Sequence, residues 1–148
     1  IAGAQEIVEA TASSPARITD VRLTTGTTYR HASPLELEIR WSCDEPKMAF
    51  HLAVGLNRPD EVEVASFLSH RTGAGPWTGR TSHAVRLEIP SLPLVKKSFE
   101  RDIVLLAEDG LHIHDTRILE DAFSVEYDDY PFGIVAIPHQ WRDVGEQT

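Results

Sequence analysis

Leu35, Leu37, Ile39 and Trp41 alternate with Glu36, Glu38 and Arg40. A period of two fits an extended chain, whose successive side chains point to opposite faces of a sheet. After a turn at Asp44-Glu-Pro-Lys47 the rhythm returns. Phe50, Leu52, Val54 and Leu56 share one face, and His51, Ala53, Gly55 and Asn57 share the other. No window carries a convincing 3.6-residue repeat, so helix is confined to at most a short turn near Lys96 or Leu119. Further strands are expected over Arg17–Thr24, Val62–His70, Ala84–Ile89, Phe99–Ala107, Leu111–Thr116 and Phe123–Tyr127. Ile18 and Leu23 differ in parity, which predicts one register irregularity in the first of these. Thr24-Thr-Gly-Thr-Thr28, Arg58-Pro-Asp-Glu61 and Glu108-Asp-Gly110 supply turns, and Pro90 and Pro93 end a strand. Many short strands joined this way make an all-β, antiparallel two-sheet sandwich of the immunoglobulin-like or jelly-roll kind.

At 148 residues the chain forms one domain with a real core. The sandwich is expected over residues 15–142, with structureless segments at 1–14 and 143–148. After Asp128-Asp129 comes one more apolar strand, Tyr130–Trp141. Its backbone groups need partners, so it folds back on its own sheet or pairs with a second copy as an exchanged strand.

The net charge of -9, without a basic block, argues against nucleic acid and anionic membranes as partners. Cys43 is the only cysteine, which excludes an internal disulfide and fits a reducing compartment. No apolar run approaches the roughly 18 residues of a membrane span. Ile1-Ala-Gly-Ala-Gln lacks the features of a signal peptide and reads as a cut inside a longer protein. The absence of a Gly-x-x-x-x-Gly-Lys-Ser/Thr loop argues against ATP binding, and the absence of a Gly-x-Ser-x-Gly elbow argues against a serine hydrolase.

Small side chains at Ala53 and Gly55 leave an open floor between His51 and Asn57, whose imidazole and amide suit hydroxyl groups. The bland alternative is an ordinary solvent face. Trp77, in the loop Gly73-Ala-Gly-Pro-Trp-Thr-Gly79, is either a platform for a sugar ring or a plug over the end of the sandwich. Trp41 belongs to the core by parity. His112 and His114 share a strand face, but a metal needs a third ligand and none has suitable spacing. His114 instead stabilises a turn with Asp115 or reaches a ligand. The carboxylate pairs, such as Asp60-Glu61 and Glu120-Asp121, lie in expected turns, where solvated charge is the default.

Several segments together resemble a known family. They are Arg17-Ile-Thr-Asp-Val-Arg-Leu23, Ile89-Pro-Ser-Leu-Pro-Leu94, Phe99, Ala107-Glu-Asp-Gly110, His114-Asp115, Phe123-Ser-Val125 and Phe132-Gly-Ile-Val-Ala-Ile-Pro-His-Gln-Trp141. In order and spacing they are similar to the C-terminal domain of the ATP-binding subunit of O-antigen polysaccharide ABC transporters, the Wzt type. The chain departs from that pattern at Lys96-Lys-Ser-Phe99, where relatives have a glycine, and at Ser69-His70, where many have Thr-Asn.

The resemblance implies a non-catalytic carbohydrate-binding module that recognises the modified non-reducing end of a finished glycan and permits its export. It also implies a homodimer with an exchanged last strand. The nucleotide-binding domain and membrane subunit of the transporter would be partners at the cytoplasmic face of the inner membrane. No cofactor or metal is expected. The expected carbohydrate-binding residues are His51, Asn57, Arg58, Ser66, His70, Trp77, Arg80 and His114. The competing reading is a protein–protein or dimerisation module that binds no glycan.

Overall fold

The structure, a computed structural model, describes residues 5–8, 14–26, 28–58, 60, 62–94, 98–126 and 135–145. The alternating stretches become strands. In chain order these are β1 (Gln5–Val8), β2 (Ala16–Leu23), β3 (Thr28–Arg30), β4 (Leu35–Cys43), β5 (Phe50–Asn57) and β6 (Glu63–Leu68), then the short turn of helix α1 (Ser69–Thr72), β7 (Ser82–Ile89), β8 (Ser98–Ala107) and β9 (Ile113–Glu126). A larger sheet runs β1-β9-β8-β5-β6, with β3 added in parallel on β9, and a smaller sheet runs β2-β4-β7. The two stack face to face as an all-β sandwich.

The inward faces match the parity of the sequence. Leu37, Ile39 and Trp41 of β4 and Phe50, Leu52, Val54 and Leu56 of β5 are all buried, joined by Phe99, Ile103 and Leu105 of β8. The irregularity expected in the first strand lies between Ile18 and Asp20, where the pairing of β2 with β4 shifts.

Four expectations need correction. Gln5–Val8 lies in the supposedly structureless lead-in, yet it pairs with Arg117–Glu120. Thr28–Arg30, which begins inside the expected turn, pairs with Ser124–Glu126. The two short strands expected after the hairpin are one strand of 14 residues, with no helical turn near Leu119. Glu120-Asp121 thus lies inside a strand instead of a turn, because β1 and β3 bond successive parts of the same long β9. The strand expected over 62–70 ends at Leu68, and Ser69-His70 opens α1.

Of the expected last strand, residues 130–134 lie outside the described residues. Its described part makes one antiparallel bridge, Val135 with Leu94, and Ala136 N–H donates to Pro93 O at 2.8 Å.

A polar stitch joins the two sheets along one edge. Asp115, on the inward face of β9 and 2% exposed, accepts Ile18 N–H at 2.7 Å and Thr116 N–H at 2.8 Å. Arg117, two residues on and facing the same way, donates from Nη2 to Ile18 O at 2.8 Å. The backbone of edge strand β2 is thereby bonded by side chains of the opposite sheet. Asp115→Ala leaves the buried Ile18 N–H without its acceptor, and should cost about 2–3 kcal/mol and lower Tm by roughly 5–10 °C. Asp115→Asn preserves shape but points a donor at one of the two N–H groups, and should also destabilise. Thermal unfolding followed by circular dichroism checks both variants, and an unchanged Tm in the alanine variant contradicts the stitch.

Candidate functional site

The outward residues of β5 fall into two groups, His51 in one and Gly55 with Asn57 in the other, about 13–20 Å apart along the strand at ~3.3 Å per residue. The first surrounds His51. Its parity points it out of the sandwich, yet it is 7% exposed because three segments fold over it. Past Leu68 the chain turns through α1, which closes on Gly73 at a positive φ of 82°. This brings Ser69 Oγ to 2.9 Å from His51 Nδ1, where it also accepts Leu52 N–H at 2.8 Å. The His70 ring stands edge-on to His51 at 5.7 Å. The tip of the β8–β9 hairpin completes the cover. Gly110 has φ 71°, and a Cβ there would lie 2.8 Å from the His70 ring, so this position accepts no side chain.

Trp77 enters from the third side. Its backbone pairs with that of Phe50 through two 3.0 Å hydrogen bonds, and its half-buried ring stands edge-on to Trp41 at 6.0 Å and His51 at 6.3 Å. His114 packs edge-on to Phe50 at 5.4 Å and to His112 at 5.2 Å. Burial pushes His51 below the usual histidine range, with a smaller contribution from His70. Burial does the same to His114, aided by His112. This end of the sheet is a packed cluster of aromatic rings. Among the described residues, no three histidine, cysteine or carboxylate groups converge to hold a metal ion.

The second group lies on the open outer face. Gly55 is opposite Ser66 of β6 on one side and Asp102 of β8 on the other, so the three form one cross-strand row. Asn57 Nδ2 donates to Asp102 Oδ2 at 2.8 Å. Gly55 lies under this pair: an added Cβ would meet Asp102 Cβ at 3.7 Å, Asp102 Oδ2 at 3.8 Å and Asn57 Nδ2 at 3.9 Å, all ordinary contacts. Asn57 itself stands between Glu63 and Glu100 in register. The result is a bare floor beside an oriented amide and carboxylate.

The eight expected residues therefore do not form one site. His51, His70, Trp77 and His114 gather at one end of the sheet, and Asn57 and Ser66 belong to the open row. Arg58 is engaged by Asp60, to which its Nε donates at 3.0 Å and its Nη2 makes an ion pair. Arg80 is exposed on the turn before β7, with its carbonyl near Cys43 Sγ and His83 Nε2 at the end of the smaller sheet. Sequence reasoning missed Asp102. The available signal was the run Glu100-Arg101-Asp102 at the start of an apolar strand, where alternation sends Arg101 to one face and its two acidic neighbours to the other.

No protein-family model matches the sequence, and no curated relative matches it either. Among solved structures, the C-terminal domain of Wzt superposes with a TM-score of 0.73 over 95% of this chain and 88% of that one, at 6% identity. A Niemann-Pick type C2 protein from Japanese carpenter ant superposes with a TM-score of 0.56 over 81% of this chain and 99% of that one, at 8% identity. At these identities the likeness is one of fold.

The buried rings make stability depend on pH. His51, His83 and His114 all have folded-state pKa values lowered by burial, so the unfolded chain takes up protons first, near pH 6.5. Their contribution is complete above that pH and is lost as the pH falls through the lowered values. The urea midpoint should drop between pH 7.5 and pH 5.5, and less steeply in His83→Phe. Carboxylates held low, such as Glu38 and Asp109, act only below this window. A midpoint that stays flat from pH 7.5 to 5.5 would refute the assignment.

Proposed function

We propose that this chain is a non-catalytic glycan-binding domain that uses the outer face of the larger sheet to recognise the end of an O-antigen-type polysaccharide. The observation that carries the reading is the hydrogen-bonded pair Asn57–Asp102 beside Gly55, which adds no side chain of its own, with Ser66 completing the row. A sugar presents hydroxyl groups that both donate and accept. An amide fixed by a carboxylate, next to a floor without side chains, offers both kinds of partner at sheet level. Glu63 and Glu100 beside Asn57 make this end rich in acceptors, which favours hydroxyl donors over a phosphorylated or acidic cap.

The fold shared with the Wzt domain supports placing the module in a polysaccharide ABC exporter. There it would read the modified non-reducing end of the finished chain on the cytoplasmic side of the inner membrane. A nucleotide-binding domain and a membrane subunit would be its partners. Among the described residues no helix is long and apolar enough to cross a membrane. Little apolar area is buried per sugar, so affinity for a short oligosaccharide should be weak, roughly 10⁻⁵–10⁻³ M.

Saturation-transfer NMR with intact and end-trimmed glycan tests the reading. Intact chains should give a signal that trimming abolishes and that Asn57→Ala weakens by roughly three- to tenfold, the worth of one neutral hydrogen bond. Equal signals from intact and trimmed glycan, or none from either, would defeat it.

A second reading, a module that holds two copies of the chain together, is favoured by the tail. Ile137, Trp141 and Val144 are exposed, Trp141 at 92%, although large apolar side chains usually find cover. If the tail exchanges between copies, the intact chain will have a dimer's mass in solution and a chain cut after Tyr127 a monomer's. Light scattering that finds the same mass for both excludes exchange.

A further inference from the structure

The two sheets are closed along β2 and β9 and open along β6 and β7. In that opening lies a cavity of about 290 Å³, walled by Leu52, Val54, Phe67, Val85 and Leu87, with Trp77 at one end. Its walls are largely apolar, and it is about twice the size of the ~150 Å³ apolar cavity that stays dry and takes up benzene. A second, narrow gap of about 10 Å³ continues from it, sharing Val54, Phe67 and Leu87, and is bounded by the apolar stem of Arg101, whose buried nitrogens lie behind that wholly apolar lining.

Arg101 is the unusual group. Alternation along β8 turns it inward, where it is 5% exposed. Its Nε and Nη1 are buried and have no hydrogen-bond partner among the described residues. Burial pushes its pKa down to about 10, which still leaves it charged at neutral pH. An inward guanidinium with idle donors is costly, and buried polar groups in native proteins nearly always have partners.

We propose that the gap between the sheets binds a carboxylate-headed alkyl chain, with the carboxylate on Arg101 and the chain lying between β6 and β7. A carboxylate accepts two parallel N–H bonds from a guanidinium and neutralises it, supplying what Arg101 lacks. The length agrees. From Ile89, in the wall beside Arg101, to Val85, in the wall of the larger cavity, is about 13 Å at ~3.3 Å per residue. A volume of about 290 Å³, about twice that of the benzene-sized apolar cavity, suits a chain on the order of ten carbons.

The narrow gap has room for about one water, so the head group enters only when Phe67 and Leu87 turn aside. Both are half-buried and sit on edge strands that are not bonded to each other. The proposal does not depend on glycan recognition, which uses the opposite face of the larger sheet.

The test titrates the full chain with decanoate, decanol and butyrate while following the methyl NMR signals of Leu52, Val54, Val85 and Leu87. Decanoate should saturate and shift these methyls. Decanol, with the chain but no charge, should bind at least tenfold more weakly, and butyrate, with the charge but a short chain, should not bind. Arg101→Met should reduce decanoate affinity to that of decanol. Equal decanoate affinity in wild type and Arg101→Met overturns the proposal, as do shifts scattered over the surface. Should the Arg101 variant fail to fold, Val85→Phe decides: it fills the cavity, and undiminished decanoate binding there refutes the site.

Discussion

The bonds from Asp115 and Arg117 to the backbone of Ile18 decide how the two sheets sit on each other. Apolar burial drives the faces together, but it is non-directional, and two apolar slabs can slide with little penalty. Hydrogen bonds fix position to within tenths of an ångström and are expensive to leave unmade inside. Two inward side chains of β9 hold a single residue of β2 through both its N–H and its C=O. They also occupy backbone groups of an edge strand that would otherwise invite pairing with another chain. The register shift of β2 immediately follows this residue, so the stitch and the irregularity belong to one local arrangement.

A sandwich pinned along one edge and built from sheets of unequal width must differ at the other edge. The smaller sheet has three strands and the larger has six. Near the stitch the packing is complete: Ala16, Ile103 and Leu105 are fully buried. At the far side β6 overhangs, and the inward residues Phe67, Val85, Leu87 and Ile89 are only half covered. The cavity follows from that mismatch in width. The inward Arg101 borders the same side, and among the described residues its Nε and Nη1 find no acceptor.

Much of this was legible in the sequence, because strand parity is a local property. The faces of β4 and β5, the irregular first strand and the Glu108-Asp-Gly110 hairpin all follow from neighbours a few residues apart. What failed depends on partners far away. Gln5–Val8 and Thr28–Arg30 are too short and polar to declare themselves, and they are strands only because β9 offers them backbone groups. The site suffered similarly. The outward parity of His51 was legible, but its burial comes from Ser69, His70 and the Trp77 loop, which only tertiary folding brings there. Arg58 was expected to bind carbohydrate, although Asp60, two residues on, engages it.

The two outer faces also differ in kind, and this favours one of them as the recognition surface. On the smaller sheet Glu38 was expected to face water. It points outward but is shielded by Arg22, Arg40 and Arg86, whose nitrogens lie 3.2, 2.7 and 3.4 Å from its carboxyl oxygens. The hydrogen bond from Arg40 is the main reason its carboxyl is held below the usual range. Each arginine is about half exposed or more, so salt and water screen these pairs and their contribution to stability is small. Their charges answer one another around a shallow hollow of about 340 Å³ lined by Glu38, Arg40, Ala84, Arg86 and Glu88, so a ligand there would meet groups already engaged in ion pairs. The outer face of the larger sheet differs at Gly55, where the backbone carries no side chain and the neighbouring polar pair, Asn57 and Asp102, is joined by a hydrogen bond instead of an ion pair. The Asn57 amide is thus already oriented by Asp102.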